Sequence, residues 1–417
     1  MKEDELMSSS RNKNLFIVVS FFLWFPHFLY VPILSPYIKS LGGNYSYIGI
    51  VLSSYGLMQL LCRLPIGIIS DLIKMRKPFV MFGMVASAFS CFIFLFTASL
   101  EWILIARALA GVAAASWVAF SVLYPNYFAA DEVHRAMGSI SFIVVLAQFL
   151  GMAFSGYIVD VWGWKAPFWI GAGFSILGAI LSFFILEPRE GRMKEPVRVR
   201  DLMIVMKEPL LLKIALLSIL AHSIIFSTIF GFSSNYALEI GFKPAEITFM
   251  VFAFMIPHAI ATLFMGRVFV PLLGEWKSLR LAFFMTSIIT LLIPFVQTKA
   301  LFLFIQMISG FSLGLIFPLL LGMAIDRIES EKRATAMGAY QALYAIGIFV
   351  GPFLVGIFNS LMGIKAGFYF VGILGMVATV LIIGWSMGEV NSKASKEKGN
   401  TENYYSIFRR KNNVRRS

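Results

Sequence analysis

Long apolar runs recur from one end of this 417-residue sequence to the other. A helix of about 20 apolar residues is long enough to cross the roughly 30 Å hydrocarbon core of a bilayer. Hydrophobic residues make up 59% of the chain and charged residues 14%, whereas a soluble domain has about 45–50% and about 25%. The composition therefore excludes a soluble globular protein and predicts an all-α integral membrane protein.

Twelve of these runs are predicted to be transmembrane helices, at approximately 15–38, 46–70, 78–98, 102–125, 137–159, 166–186, 211–236, 246–270, 279–298, 300–325, 335–358 and 366–386. The longest polar interruption, 187–210, is interpreted as a cytoplasmic linker between two six-helix bundles, 15–186 and 211–386. Residues 1–14 are interpreted as a cytoplasmic arm. The basic tail, 387–417, is predicted to be cytoplasmic and disordered.

The net charge of +13 would suggest nucleic acid only if the basic residues clustered on a folded surface. Instead, 28 of the 35 Lys and Arg fall on the side of the spans that carries both termini, and five fall on the opposite side. By the positive-inside rule both termini are predicted to be cytoplasmic, in a protein of the plasma membrane. The charge thus reflects topology and some attraction to membrane lipid, and no nucleic-acid partner is expected.

The two halves of the sequence resemble each other at an offset of about 200 positions. GMAFSGYIVDVWGWKAPFW, from Gly151, aligns with GPFLVGIFNSLMGIKAGFY, from Gly351, and Gly111 aligns with Gly310. A nearly constant offset held over several spans is not expected by chance. The sequence therefore predicts two parallel repeats of six helices, with a substrate site between them near the midplane.

The segment after the second span, GIISDLIKMRKP, begins at Gly67. It is similar to the G-x-L-A-D-R-x-G-R-R/K signature of the major facilitator superfamily of secondary transporters. The resemblance implies that Asp71 belongs to a cytoplasmic latch and that Gly67 lies where helices approach closely. Lys74 stands where the signature has Gly, and Met75 where it has the first Arg, so the cationic partner of Asp71 is left open between Arg76 and Lys74.

The fourth span carries Arg107-Ala-Leu-Ala-Gly111, which is similar to the R-x-x-Q-G motif of the same family. Arg107 lies about 9 Å inside the membrane from the outer end of this span. An arginine at that depth costs several kcal/mol unless it faces a cavity or a partner. Arg107 is therefore predicted to serve the substrate cavity and, together with Gly111, coupling and gating. Gln306, four residues before Gly310, is its counterpart in the second half.

The fifth span carries glycines at Gly138, Gly151 and Gly156, spaced as in a family signature that is associated with efflux antiporters. The second half retains Gly351-Pro352 at the corresponding place. The resemblance implies that these residues act in gating and that transport is directed outward. Glycines at such spacing also serve close helix contact in membranes generally.

None of the 22 acidic residues lies near the middle of a predicted span. The ionisable groups that remain inside are Arg63, Arg107, His27, His222 and His258. A neutral or anionic amphipathic solute therefore fits better than an organic cation, and any proton coupling is expected to involve the histidines or the latch aspartate.

In the family that the chain resembles, helices 1, 4, 7 and 10 line the cavity. The first span is also interrupted by three prolines, which are tolerated where freed carbonyls line a cavity. The residues predicted to contact substrate, including three positions in the eleventh span, are Trp24, His27, Tyr30, Arg107, His222, Phe226, Gln306, Tyr340, Gln341 and Tyr344.

These features predict a monomeric secondary active transporter that works by alternating access and exports a small amphipathic neutral or anionic compound, such as a drug or metabolite, in exchange for protons. Uptake of a small organic anion or neutral nutrient remains an alternative, as does a transport-dead sensor. A membrane-embedded lipid-modifying enzyme is a more distant alternative, because the sequence has no catalytic cluster, metal-ligand spacing or nucleotide-binding loop. Neither cofactor nor metal is expected.

Overall fold

A computed structural model of the chain describes residues 2–128, 132–187, 204–326, 328–329 and 332–386. Within these ranges the regular structure is entirely helical, and twelve helices are long and apolar enough to cross a membrane. They are α1 (Arg11–Ser40), α2 (Tyr45–Leu72), α3 (Lys77–Phe96), α4 (Leu100–Tyr127), α5 (Ala136–Trp162), α6 (Ala166–Phe183), α7 (Pro209–Glu239), α8 (Pro244–Leu273), α9 (Glu275–Phe295), α10 (Lys299–Ile325), α11 (Thr335–Met362) and α12 (Lys365–Ser386). The predicted all-α membrane fold with twelve spans is confirmed.

The polar segments that flank the spans are only partly described. The helix that contains the start of α1 runs from Lys2 to Leu29, so residues 2–14, predicted as an arm, continue the first span as helix. Residues 188–203 of the predicted linker, and all of the predicted tail 387–417, lie outside the described residues.

α1 and α7, the first helices of the two halves, are irregular at corresponding positions. α1 is interrupted at Tyr30, and the helix that follows, Val31–Ser40, has as its second residue Pro32, which has no N–H to donate. α7 contains a π-helical turn at Thr228–Phe232, 198 positions or more further along the chain. Paired interruptions of this kind free backbone groups near the middle of a transporter and point to the place where a solute binds.

The packing of the two halves repeats as their sequences do. Gly111 of α4 lies against the carbonyl oxygen of Tyr55 in α2, and Gly310 of α10 lies against the carbonyl oxygen of Phe254 in α8. Each residue of the second pair follows its counterpart by 199 positions. The repeat predicted from the sequence is therefore also a repeat of helix contacts.

α5 and α11 join the two halves crosswise, each through a glycine. Gly156 of α5 lies against Pro244 of α8, and Gly356 of α11 lies against Gly49 of α2. A Cβ built on Gly356 would lie 2.7 Å from the Cα of Gly49. Residues without a side chain let helix backbones approach this closely, so any larger residue at these points would hold the halves apart.

The halves meet at one end of the bundle and separate at the other. We call the end with the start of α1 and the end of α12 the terminal end, and the other the opposite end. At the opposite end Tyr45 Oη donates to Glu239 Oε1 across 2.5 Å. Among the described residues, the hydrogen bond between halves nearest the terminal end is that of Arg63, about 13 Å inside α2. A Cβ on Gly138 or Gly338, near the terminal end, would have no atom within 4 Å. Among the described residues, the halves are thus apart at the terminal end, and the structure is open there.

Candidate functional site

An arc of four stacked rings crosses from one half to the other at the depth where the halves begin to separate. Tyr344 of α11 stacks on His222 of α7, with centroids 4.1 Å apart. His222 is 6.3 Å from Phe226, one turn further along α7, and Phe226 is 6.4 Å from Tyr55 of α2. We call these four residues the aromatic arc. Three of them were predicted from the sequence, and the fold brings them together.

Arg63 lies at the end of the arc nearest the terminal end and is only 7% exposed. Its Nη1 donates to Tyr344 Oη at 3.2 Å and to the carbonyl oxygen of Gln341 at 3.4 Å, and its Nη2 donates to Gln59 Oε1 at 2.5 Å. Because Tyr344 and Gln341 belong to α11, these bonds tie the second half to α2. Arg63 is therefore a bridge between the halves, with most of its donors occupied.

Arg107 lies at the other end of the arc and is 3% exposed. Its Cζ is 4.1 Å from the centroid of Tyr55, and its Nη1 donates to Tyr30 Oη at 3.4 Å. Its Nε has no hydrogen-bond partner, and among the described residues no carboxylate forms an ion pair with it. A guanidinium has five N–H donors, so this one is buried with most of them unused.

His27 lies beside Arg107 and faces two hydrogen-bond acceptors. Nδ1 is 2.6 Å from the carbonyl oxygen of Leu23, and Nε2 is 3.0 Å from that of Ala110. A neutral imidazole can donate through only one nitrogen, whereas the protonated ring donates through both. The two carbonyls are therefore arranged for a protonated ring. His222 differs, because within the described part of the chain one carbonyl oxygen lies at its ring, that of Ser218, 2.8 Å from Nδ1.

Two more predicted residues form the wall of the first half beside His27. Trp24 packs edge-on against Trp117 of α4, with centroids 5.3 Å apart, and its Nε1 is buried without a partner. Tyr30 is fully buried and accepts the hydrogen bond from Arg107. Both residues therefore shape the surroundings of His27 and Arg107.

The remaining predicted residues of α10 and α11 do not belong to the aromatic arc. Tyr340 is buried, and its Oη lies 2.8 Å from Ser218 Oγ, so it joins α11 to α7. Gln341 contributes its backbone oxygen to Arg63. Gln306 is 1% exposed, with its Nε2 unpartnered, and no ring contact or hydrogen bond links it to the arc within the described part of the chain.

Sequence reasoning missed Tyr55 and Gln59, which complete the site on α2. Together with Arg63 they stand four positions apart, so they follow one face of the helix. A polar stripe in an otherwise apolar span is a signal that could have identified them.

The residues of the predicted latch pair with each other, at the end of α2 and in the loop that leads to α3. Asp71 forms an ion pair with Arg76, five positions on, and Lys74 takes no part in it. Glu187 accepts hydrogen bonds from the backbone N–H groups of Arg76 and Lys77 at 2.6 and 3.0 Å, at the start of α3, where a carboxylate is favoured. No contact of Asp71 with the second half is recorded among the described residues.

The close helix contact expected at Gly67 is absent from this conformation. A Cβ built there would meet its nearest atom, Val118 Cγ1, at an ordinary 3.5 Å. Gly67 lies at the terminal end, which is open, so the helices that could approach it are apart. Gly151 and Gly351, two other glycines of the predicted gate, are tightly packed within their own halves: a Cβ on Gly151 would lie 2.9 Å from the carbonyl oxygen of Phe25, and one on Gly351 would lie 2.5 Å from the Cα of Ser223. The carbonyl oxygen of Pro352 faces Gly49 across the halves.

Lys74 has a φ of +56°, and it is the one non-glycine residue with positive φ in the described part of the chain. It follows the last residues of α2, where a left-handed residue commonly ends a helix and is usually glycine. The left-handed conformation costs about 1–2 kcal/mol for a residue with a Cβ. Lys74→Gly is therefore expected to raise the free energy of unfolding in detergent by about 1 kcal/mol. Lys74→Ala, which removes the charge and keeps the Cβ, should give no such gain, and equal gains from both would contradict the explanation.

Comparisons with known proteins agree with this architecture. The family model described as Major Facilitator Superfamily matches residues 16–243 and 215–414. An uncharacterised MFS-type transporter of Methanocaldococcus jannaschii is 22% identical over 84% of this chain and 92% of its own length. A probable sugar efflux transporter of Helicobacter pylori is 24% identical over 86% and 90%. A solved bacterial homologue of the human lysosomal transporter Spinster, in an inward-facing and unoccupied conformation, superposes with a TM-score of 0.76 at 12% identity, over 90% of this chain and 96% of that one.

Proposed function

Because this chain belongs to the Major Facilitator Superfamily, whose members are transporters and not enzymes, we propose that it exports a small amphipathic compound, neutral or anionic, in exchange for protons. It is a multi-pass membrane protein with the alternating-access fold. The proposal adds a substrate class, a direction and a coupling ion. The observation that carries it is the aromatic arc between the halves, with a buried unpaired arginine at one end and a histidine between two acceptors beside it.

The chemistry of the arc supports an amphipathic solute. Aromatic faces bind apolar surface and stack on flat rings, while Arg107 can donate hydrogen bonds to a polar group. No carboxylate of the described residues lies in the arc, so a cation would find no counter-charge there. A proton released by His27 is the coupling step that we propose.

The distribution of basic residues supports an orientation with both termini in the cytoplasm, in the plasma membrane. In that orientation the structure is open to the cytoplasm, the side from which an exporter loads. The name of the Helicobacter pylori relative, a probable sugar efflux transporter, supports outward transport. We further propose that the protein acts as a monomer surrounded by lipid, with bundles at 15–186 and 211–386 joined by a cytoplasmic linker.

Transport would proceed by rocking of the halves about the arc. Opening the opposite end requires Gly49 and Gly356 to separate and the hydrogen bond from Tyr45 to Glu239 to break. Closing the terminal end would bring Asp71 towards the second half, where the latch can form. Arg63 lies between these two ends, so its hydrogen bonds to Gln341 and Tyr344 of the second half would change as the halves rock.

The test is accumulation in proteoliposomes under an imposed pH gradient. A thermal-shift screen of neutral and anionic amphipathic solutes first selects a ligand, since binding to the folded state stabilises it. An exchanger accumulates that ligand in a lumen made acidic, and Arg107→Ala, checked for folding by gel filtration, is expected to abolish the accumulation. Protein-free liposomes control for passive partition.

The direction of the gradient separates the proposal from its alternative. Accumulation that requires an acidic exterior would indicate uptake together with protons, which a cationic cavity could also serve for an organic anion. Accumulation that is the same with and without a gradient would contradict proton coupling altogether.

A further inference from the structure

We propose that the solute is an aromatic monoanion, whose acidic group binds Arg107 and whose rings lie along the aromatic arc. This inference rests on the proposed function, because it narrows the substrate class of the same site.

Arg107 is buried with most of its donors unused. The residue is 3% exposed, yet among the described residues its side chain makes one hydrogen bond, a long one of 3.4 Å to the hydroxyl of Tyr30. Its Nε donates to nothing. A buried charge is costly unless it is paired and its donors are satisfied. A bound acidic group would supply both the opposite charge and the missing acceptors, in the two-pronged geometry that guanidinium favours.

No carboxylate of the described residues forms an ion pair with Arg107. The groups that face Arg107 are Tyr30 of α1, Tyr55 of α2 and His27 of α1, which are neutral or cationic. Glu101, the acidic residue on α4 itself, lies about 9 Å away along the helix and is held by a hydrogen bond from Ser99.

The free donors of the two buried arginines and the positions of the rings indicate how many charges the solute carries and what shape it has. The other buried guanidinium, Arg63, already donates to three acceptors and keeps only its Nε without a partner, so most of the donors free for an acidic group lie at the Arg107 end of the arc. Tyr55 and Arg63 are about 12 Å apart along α2, and the rings of Phe226, His222 and Tyr344 follow one another between these ends. A fused two-ring body with one acidic group matches this arrangement.

The experiment compares two probes that differ in charge and little else, naphthalene-2-sulfonate and naphthalene-2-sulfonamide. Binding is measured by calorimetry on the purified full chain and on Arg107→Gln, Arg107→Lys and Arg280→Gln. Arg280 is an exposed arginine of α9, away from the arc, so its variant is the matched control for loss of one positive charge.

We expect the sulfonate to bind the unaltered protein at least tenfold more tightly than the sulfonamide. Arg107→Gln should remove that advantage, Arg107→Lys should retain part of it, and Arg280→Gln should change neither affinity. The inference is overturned if the two probes bind equally well, if neither binds, or if Arg107→Gln weakens both to the same extent.

Its failure can be told from failure of the proposed function. If neutral solutes bind and accumulate under the pH gradient while the sulfonate does not, the proposed export is supported and the inferred monoanionic substrate is wrong. If the sulfonate binds through Arg107 but no gradient moves it, the site is correctly identified and proton-coupled export is wrong.

Discussion

Replacing His27 with asparagine is expected to abolish the dependence of transport on the pH gradient. His27 lies between the carbonyl oxygens of Leu23 and Ala110, and only a protonated ring satisfies both. Asparagine can donate to one of these oxygens, but it cannot take up or release a proton. The variant should still exchange labelled for unlabelled solute, while accumulation driven by an acidic lumen falls to the level without a gradient, a loss of tenfold or more.

His222→Asn is the control, because His222 is a buried histidine of α7, the counterpart of α1, and within the described part of the chain a carbonyl oxygen lies only at its Nδ1. We expect this variant to change affinity through its stacking on Tyr344 and to keep the response to the gradient. If His27→Asn accumulates solute as the unaltered protein does, His27 is not the coupling residue. If only His222→Asn loses the response, the roles of the two histidines are reversed.

Replacing Gly356 with leucine is expected to open the opposite end of the bundle. A Cβ at this position would lie 2.7 Å from both the Cα of Gly49 and the carbonyl oxygen of Tyr45, and backbone atoms cannot move aside as a flexible side chain can. Overpacking of this kind costs about 1–3 kcal/mol. That cost falls only on the conformation in which α2 and α11 touch, so the equilibrium should shift about 5- to 150-fold towards the other one.

The shift can be measured by electron spin resonance distances in a background without Cys62 and Cys91. Labels at Asn44 and Leu361 report the opposite end, and labels at Leu72 and Leu272 report the terminal end; all four positions are exposed. Gly356→Leu should lengthen the first distance and shorten the second.

Gly338→Leu, on the same helix, is the control, because a Cβ there meets no atom within 4 Å and should leave the first distance unchanged. Lengthening in both variants would show a general loss of packing.

The spans and their repetition could be predicted from the sequence because both depend on local properties. Apolar length alone identifies a span, and a residue such as Gly310 has the role of Gly111 since the same backbone contact is built twice. Arg107 was identifiable because charge at that depth is rare and costly. These signals are carried by single positions or by their spacing.

The pairings across the halves could not be predicted in this way. Arg63 has Gln341 and Tyr344 as partners, nearly 280 positions away, and only the folded arrangement of α2 and α11 brings them together. Nothing in the sequence distinguishes Tyr55 from the other aromatic residues of the spans, because its stacking partner Phe226 lies in the other half of the chain. The helix contact expected at Gly67 is absent for another reason. Alternating access requires two conformations, and in the one described no other helix approaches Gly67 closely.

The unpaired charge of Arg107 also exposes the site to the membrane voltage. Moving one elementary charge through the full membrane potential changes the energy by about 2.3 kcal/mol per 100 mV. In the proposed exchange the carrier returns with a proton on His27, so the solute-free site carries positive charge through the return, whereas a site loaded with a monoanion is close to neutral. An interior-negative potential would then favour the protonated, solute-free carrier facing the cytoplasm and leave the loaded step nearly insensitive to voltage, so the membrane potential would speed the return half of the cycle.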